Sequence, residues 1–217
     1  MASKSRRNKV TFKWTKELIF LIVFLVGMIT LTVVLAIPSN AKRNLTKYNE
    51  AITQYNTDNS TSYSTIAADN VFEEISGGYD KQVNNTMKYA KEEEYTYVFY
   101  GALKDGVFLE QLSQVNTYAK NYEVKKVYVF LANYVTDSET EGTTTTSTYD
   151  NQIKEYNKIL NEGRAADCKE FDMSSYPAFL VYKNGGLIFN TQVDEKSEYT
   201  WSQYLNKAFG LQNKTSN

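Results

Sequence analysis

At 217 residues the chain has room for one ordinary domain and an appendage, and its formal net charge of −1 hides an asymmetry. Removing Met1–Glu17 takes away six positive charges and one negative, leaving 18 basic against 24 acidic residues, a net of −6. An acidic body argues against nucleic acid as a partner, and a chain without histidine excludes Ser-His-Asp triads, Cys-His pairs and His-based zinc sites.

The leading 17 residues carry Lys4, Arg6, Arg7, Lys9, Lys13 and Lys16, and read as a basic cytoplasmic tail. From Leu18 to Ile37 no side chain is charged. At about 1.5 Å per helical residue this stretch covers roughly 30 Å, the thickness of a bilayer's hydrocarbon core. It is expected to form one transmembrane helix, with Trp14 at the interface, the N-terminus cytoplasmic and everything after it extracytoplasmic. The alternative is a signal peptide cleaved near Ser39-Asn40-Ala41, although such apolar cores run only about 7–15 residues. Residues 38–65 read as a stalk or linker: a short juxtamembrane helix carrying Leu45, Tyr48, Ile52 and Tyr55, then a flexible tether.

A domain is expected over 66–210, with its core from 92 onward and a short tail over 211–217. Ile66–Ile75 reads as helical or mixed, and Tyr79–Lys91 as a helix. Tyr95–Tyr100 is aromatic and β-branched, the pattern of a buried strand. Phe108, Leu112, Val115, Ala119 and Tyr122 mark the apolar face of a helix, and Val127–Ala132 is a second buried strand. Strand, helix and strand in so short a span predict a parallel βαβ unit with a right-handed crossover.

Residues 133–150, rich in Ser, Thr and Glu, read as a mobile insertion, followed by a helix over Asn151–Asn161. Ala178–Lys183 and Leu187–Val193 flank Asn184-Gly185 and predict a β-hairpin. A last helix is expected over Ser197–Phe209, with Ser197 as N-cap and Gly210 just past its end. The sum is an α/β fold, a mixed sheet flanked by helices on both faces and preceded by one N-terminal transmembrane helix.

Two stretches carry a family resemblance. Ser174-Ser175-Tyr176-Pro177-Ala178-Phe179-Leu180-Val181-Tyr182-Lys183-Asn184-Gly185 resembles the thioredoxin superfamily's loop in which a cis-proline enters a hairpin ending in Lys-Asn-Gly. Val98-Phe99-Tyr100-Gly101-Ala102-Leu103-Lys104-Asp105-Gly106-Val107 occupies the place of the family's strand, active-site loop and helix start. Within the superfamily the chain is most similar to membrane-associated thioredoxin-like proteins of Gram-positive bacteria, the bacteriocin transport accessory type. The resemblance implies a thioredoxin-like fold and a cis bond at Tyr176-Pro177. It also implies a peptide groove with Tyr176, Pro177 and Ala178 on one side and Lys104, Asp105, Gly106 and Val107 on the other. The family's two active-site cysteines correspond to Lys104 and Val107, so dithiol exchange at this place is excluded.

Cys168 is the single thiol, so no disulfide forms within the chain. Lys169 would lower its pKa while Asp167 and Glu170 oppose that. No catalytic residue, metal or cofactor is expected. The leading expectation is a redox-inactive, membrane-anchored binding, adaptor or folding-assistance module for an exported or membrane protein. Two alternatives stand beside it: a thiol oxidoreductase or thiol-trapping protein using Cys168, and a structural spacer in an envelope assembly.

Overall fold

The computed structural model describes residues 15–16, 20, 23–25, 40–132, 145–192 and 199–215. The chain divides into two compact units, Met1–Ser39 and Asn40–Asn217. In the first, the described positions Lys16, Phe20 and Val23–Leu25 are helical, and Phe20, Val23, Phe24 and Leu25 are exposed. Most of the apolar stretch 18–37 lies outside the described residues, and among the described residues no helix is long and apolar enough to cross a membrane.

The second unit runs α1 (Asn40–Asn59), β1 (Phe72–Glu74), α2 (Tyr79–Glu92), β2 (Tyr95–Gly101), α3 (Gly106–Asn121), β3 (Val127–Leu131), α4 (Thr145–Leu160), β4 (Ala178–Lys183), β5 (Gly186–Asn190) and α5 (Trp201–Gly210). A 3-10 turn follows at Gln212–Thr215. The strands form one mixed sheet in the order β1-β3-β2-β4-β5. β3 lies parallel to both β1 and β2, whereas β4 is antiparallel to both β2 and β5. The βαβ unit and the hairpin therefore share β2 as the central joint.

Alternation along the strands sorts their side chains into two cores. On one face Tyr97, Phe99, Val129, Phe179 and Val181 pack with α1, α3 and α5 through Tyr48, Ile52, Phe108, Leu112 and Phe209. On the other, Val98, Tyr100, Phe130, Leu180 and Tyr182 pack with α2 and α4 through Val83, Met87, Tyr156 and Leu160. Both faces of the central strands are covered, which is why they read as unbroken apolar runs. The hairpin turns on Asn184 (φ 48°) and Gly185 (φ 89°), the positive angles that a two-residue turn needs.

Several boundaries differ from the sequence reading. Residues 40–59 form a helix that belongs to the domain: Tyr48 is 1% exposed and Ile52 fully buried. Residues 61–66 are held against this helix rather than forming a free tether. Asn56 accepts from the Tyr63 N–H (2.8 Å) and donates to its carbonyl (2.9 Å), and Asn49 does the same for Ile66 (2.8 and 3.0 Å). Within 66–75 the structure has the short edge strand β1. Helix α4 starts at Thr145, six residues before the expected Asn151, so part of the Thr-rich run is helical, while 133–144 lie outside the described residues. The N-cap of α5 is Thr200, closing a capping box with Gln203, and the expected cap Ser197 lies outside the described residues. Gly210 is the last residue of α5, and the start of the tail is tied down by Gln212, which donates to the Tyr122 carbonyl (2.7 Å).

Candidate functional site

The chain leaves β2 at Gly101 and makes a turn, Asp105 N–H to Ala102 carbonyl (3.0 Å), before entering α3. Asp105 is the N-cap of α3, its carboxylate accepting from the Phe108 N–H (2.7 Å). Lys104 is exposed and Val107 is 49% exposed, so the turn presents a cation and an apolar side chain to solvent. Neither replaces the chemistry of a thiol.

The second loop meets the same end of the sheet. Tyr100 of β2 stands opposite Ala178 of β4, so Pro177 enters β4 where β2 exits toward Lys104. The Tyr176-Pro177 bond is cis. The Tyr176 ring packs edge-on to the Tyr100 ring (6.2 Å between centroids), and the Tyr100 hydroxyl donates to the Met173 carbonyl (2.7 Å). Lys104, Asp105, Gly106, Val107, Tyr176, Pro177 and Ala178 are thus gathered at one sheet end. The topology does this: antiparallel pairing puts the start of β4 beside the finish of β2.

The proline loop is braced from below. Asn161, just past α4, pairs with both the N–H and the carbonyl of Phe171 (2.8 Å each), and Asn157 in the last turn of α4 accepts from the Met173 N–H (2.8 Å). Gln192, just past β5, accepts from the Asp172 N–H (2.7 Å) and donates to the Asp172 (2.6 Å) and Ser175 (2.5 Å) carbonyls. Burial raises the pKa of Asp172, but hydrogen bonds from the Ser174 hydroxyl and N–H and from Asn157 outweigh it and hold the carboxyl below its ordinary value.

A third element reaches the site, one that the reading of 38–65 as a stalk did not place there. Tyr55 of α1 lies over Gly106: a Cβ built there would come within 2.5 Å of the Tyr55 Cζ. Tyr55 stacks on Tyr63 (5.6 Å, 16° between planes). Burial first, then the charge of Glu110, Tyr55 and the charge of Asp105, raise the pKa of Tyr63. The Tyr55 ring therefore covers the start of α3, and a side chain at position 106 would have to displace it. Tyr55 was legible as one of the apolar positions at helical spacing; its target was not, because Gly106 is 51 residues away along the chain.

Cys168 is not brought to this place. It lies 7% exposed in the core of the α2–α4 face, its thiol against the Lys169 carbonyl (3.5 Å). Its backbone N–H bonds Ala165, whose own N–H bonds Leu187 of β5 (2.9 Å), and Leu187 stands opposite Tyr182. The five steps from Tyr182 back to Pro177, just before β4, span about 16 Å at the strand rise. Burial pushes the thiol up to about 11; Arg164 opposes this and Asp167 adds to it. At neutral pH the group is a protonated, enclosed thiol.

Among the described residues no group of three Cys, Asp or Glu side chains is placed to hold a metal ion. No protein-family model and no curated protein matches the chain.

Proposed function

We propose that this chain is a thioredoxin-like domain without redox activity, anchored in a membrane by residues 18–37 and facing the extracytoplasmic side. There it serves as a peptide- or protein-binding adaptor or folding-assistance module for an exported or membrane protein. One observation carries the reading: a cis-proline loop and a helix-capping turn share one end of a sheet ordered β1-β3-β2-β4-β5, and the turn reads Lys104-Asp105-Gly106-Val107. Thioredoxin-like domains hold extended substrate beside such a proline loop, where backbone groups accept a strand by addition. With lysine and valine in place of two thiols, binding is left without the redox step. The basic N-terminal tail, the uncharged stretch 18–37 and the exposed Phe20, Val23, Phe24 and Leu25 support the address.

The thiol-trapping alternative needs an exposed Cys168 near the proline loop; its burial, raised pKa and position toward the other end of β4 argue against it. The test is site-specific photocrosslinking in intact membranes, with the photoreactive residue at Val107 or Tyr176 and, as control, at exposed Lys88 on α2. Discrete adducts from Val107 and from Tyr176, but not from Lys88, are expected, and those from Val107 should be lost on Tyr176→Ala. Equal adducts from all three positions would refute the groove, and protection of the C-terminal domain from external protease would refute the address.

A further inference from the structure

We propose that the cup at the C-terminal end of α4 binds a small polyanion bearing phosphate or carboxylate oxygens. The site is separate from the groove above and does not rest on the thioredoxin-like reading.

Lys154, Asn157 and Lys158 fall at i, i+3 and i+4, one stripe along the last turns of α4, and Asn161 follows directly after the helix. With Arg164 from the following turn and Glu170 from the next loop they line a cavity of about 570 Å³, within the range of small-molecule sites. The two asparagines turn inward and hold the 171–173 backbone, which makes the floor rigid. The lysines have no such employment. Both are exposed, and neither has an ion-pair or hydrogen-bond partner among the described residues.

Lys81 and Lys125 also have no carboxylate within 4 Å among the described residues, but they are not in this lining; Lys154 and Lys158 share one concavity with a third cation, Arg164. Lys47, Lys88, Lys91, Lys120 and Lys126 each sit within 4 Å of a carboxylate. A chain that is net acidic beyond residue 17 neutralises these cations with its own carboxylates, whereas here three cations share one concavity with Glu170 in its lining and Asp172, already engaged by the Asn157 amide (2.9 Å), beside it. Arg164 is held in place, one terminal nitrogen donating to the Ala165 and Cys168 carbonyls, so its positive charge is fixed at the rim. Like charges gathered in one concavity raise the local potential, and an anion relieves it. The cup is too large for a single phosphate to fill, so several anionic oxygens on one small molecule match it better. Lysines act as adaptable point charges rather than planar forks, so the site selects charge number above shape.

The test uses the full chain in a non-ionic detergent, titrated calorimetrically with tripolyphosphate and, separately, with citrate, at about 0.02 M and about 0.15 M salt. Saturable one-to-one binding of at least one probe, weaker at higher salt, is expected. Tighter tripolyphosphate binding assigns a phosphate ligand, and tighter citrate binding a carboxylate ligand. Lys154→Glu with Lys158→Glu should weaken binding at least about tenfold, whereas Lys88→Glu with Lys125→Glu, the same charge change elsewhere, should leave it within about twofold. Should the reversal pair fail to fold, Lys154→Gln with Lys158→Gln carries the same comparison. No saturable binding of either probe, or equal weakening in both pairs, overturns the proposal.

Discussion

Replacing Gln82 by methionine should unfix the corner on which the candidate site stands. β1 reaches only as far as Val129 of β3, through pairs 72–74 with 127–129 and the Ile75 N–H bond to the Val129 carbonyl. Leu131 lies beyond it, 7% exposed, with no strand on that side. Gln82, itself 1% exposed, takes the place of the missing strand: it accepts from the Leu131 N–H (3.0 Å) and donates to the Leu131 carbonyl (3.2 Å) and the Gly77 carbonyl (2.9 Å). Methionine fills nearly the same volume without an amide, leaving a buried N–H unpaired at about 1–3 kcal/mol and forfeiting bonds worth about 1 kcal/mol each. A loss of about 2–4 kcal/mol follows, a large share of the roughly 5–15 kcal/mol that holds a domain together. Urea unfolding of the full chain followed by far-ultraviolet circular dichroism measures it. Hydrogen exchange should also quicken at Leu131 and at Ala132, whose N–H bonds Gly101 at the root of the candidate loop (2.7 Å). If Gln82→Met stays within about 0.5 kcal/mol of the parent and exchange at these two amides is unchanged, the strand-substitute argument fails.

Gly106→Ala should destabilise by about 1–2 kcal/mol through overlap with Tyr55 despite alanine's better helix propensity, and Tyr55→Ala in the same chain should remove that penalty, giving a measurable coupling in a double-mutant cycle. Asn161→Ala should cost about 2–3 kcal/mol by orphaning both backbone groups of Phe171, which is 1% exposed; thermal unfolding checks it, and a change under about 0.5 kcal/mol refutes it. With the Cys168 thiol raised from 9.0 to about 11, alkylation at pH 8 should run on the order of a hundredfold slower in the folded chain than in urea. The folded state holds this proton more tightly, so its stabilising contribution is complete below about pH 9 and fades as pH rises toward 11; Cys168→Ala should flatten that alkaline decline.

Much of the fold was written locally. The aromatic and β-branched runs at Tyr95–Tyr100 and Val127–Ala132, the helical spacing of Phe108, Leu112, Val115 and Ala119, and the Asn184-Gly185 turn each encode their element within a few residues. The cap of α5 was legible too: Thr200 and Gln203 have the spacing of a capping box, a stronger signal than Ser197. The three-residue β1 carries too short a pattern to distinguish strand from helix, and its edge position is defined by β3 rather than by itself.

From the residues alone it followed that the chain has no histidine chemistry and no disulfide, that cysteine is missing from the turn before α3, and that strands and helices alternate around a closing hairpin. These are properties of residue identity and of short-range periodicity, which need no partner to be defined. Only the tertiary structure decided that α1 belongs to the domain and lays Tyr55 on Gly106. It likewise decided that Asn49, Asn56, Asn161 and Gln82 clamp distant backbone, and that Cys168 is buried toward the other end of β4 from Pro177. An amide can pair with any backbone group it meets, so its partner is set by long-range packing, which the local pattern does not contain.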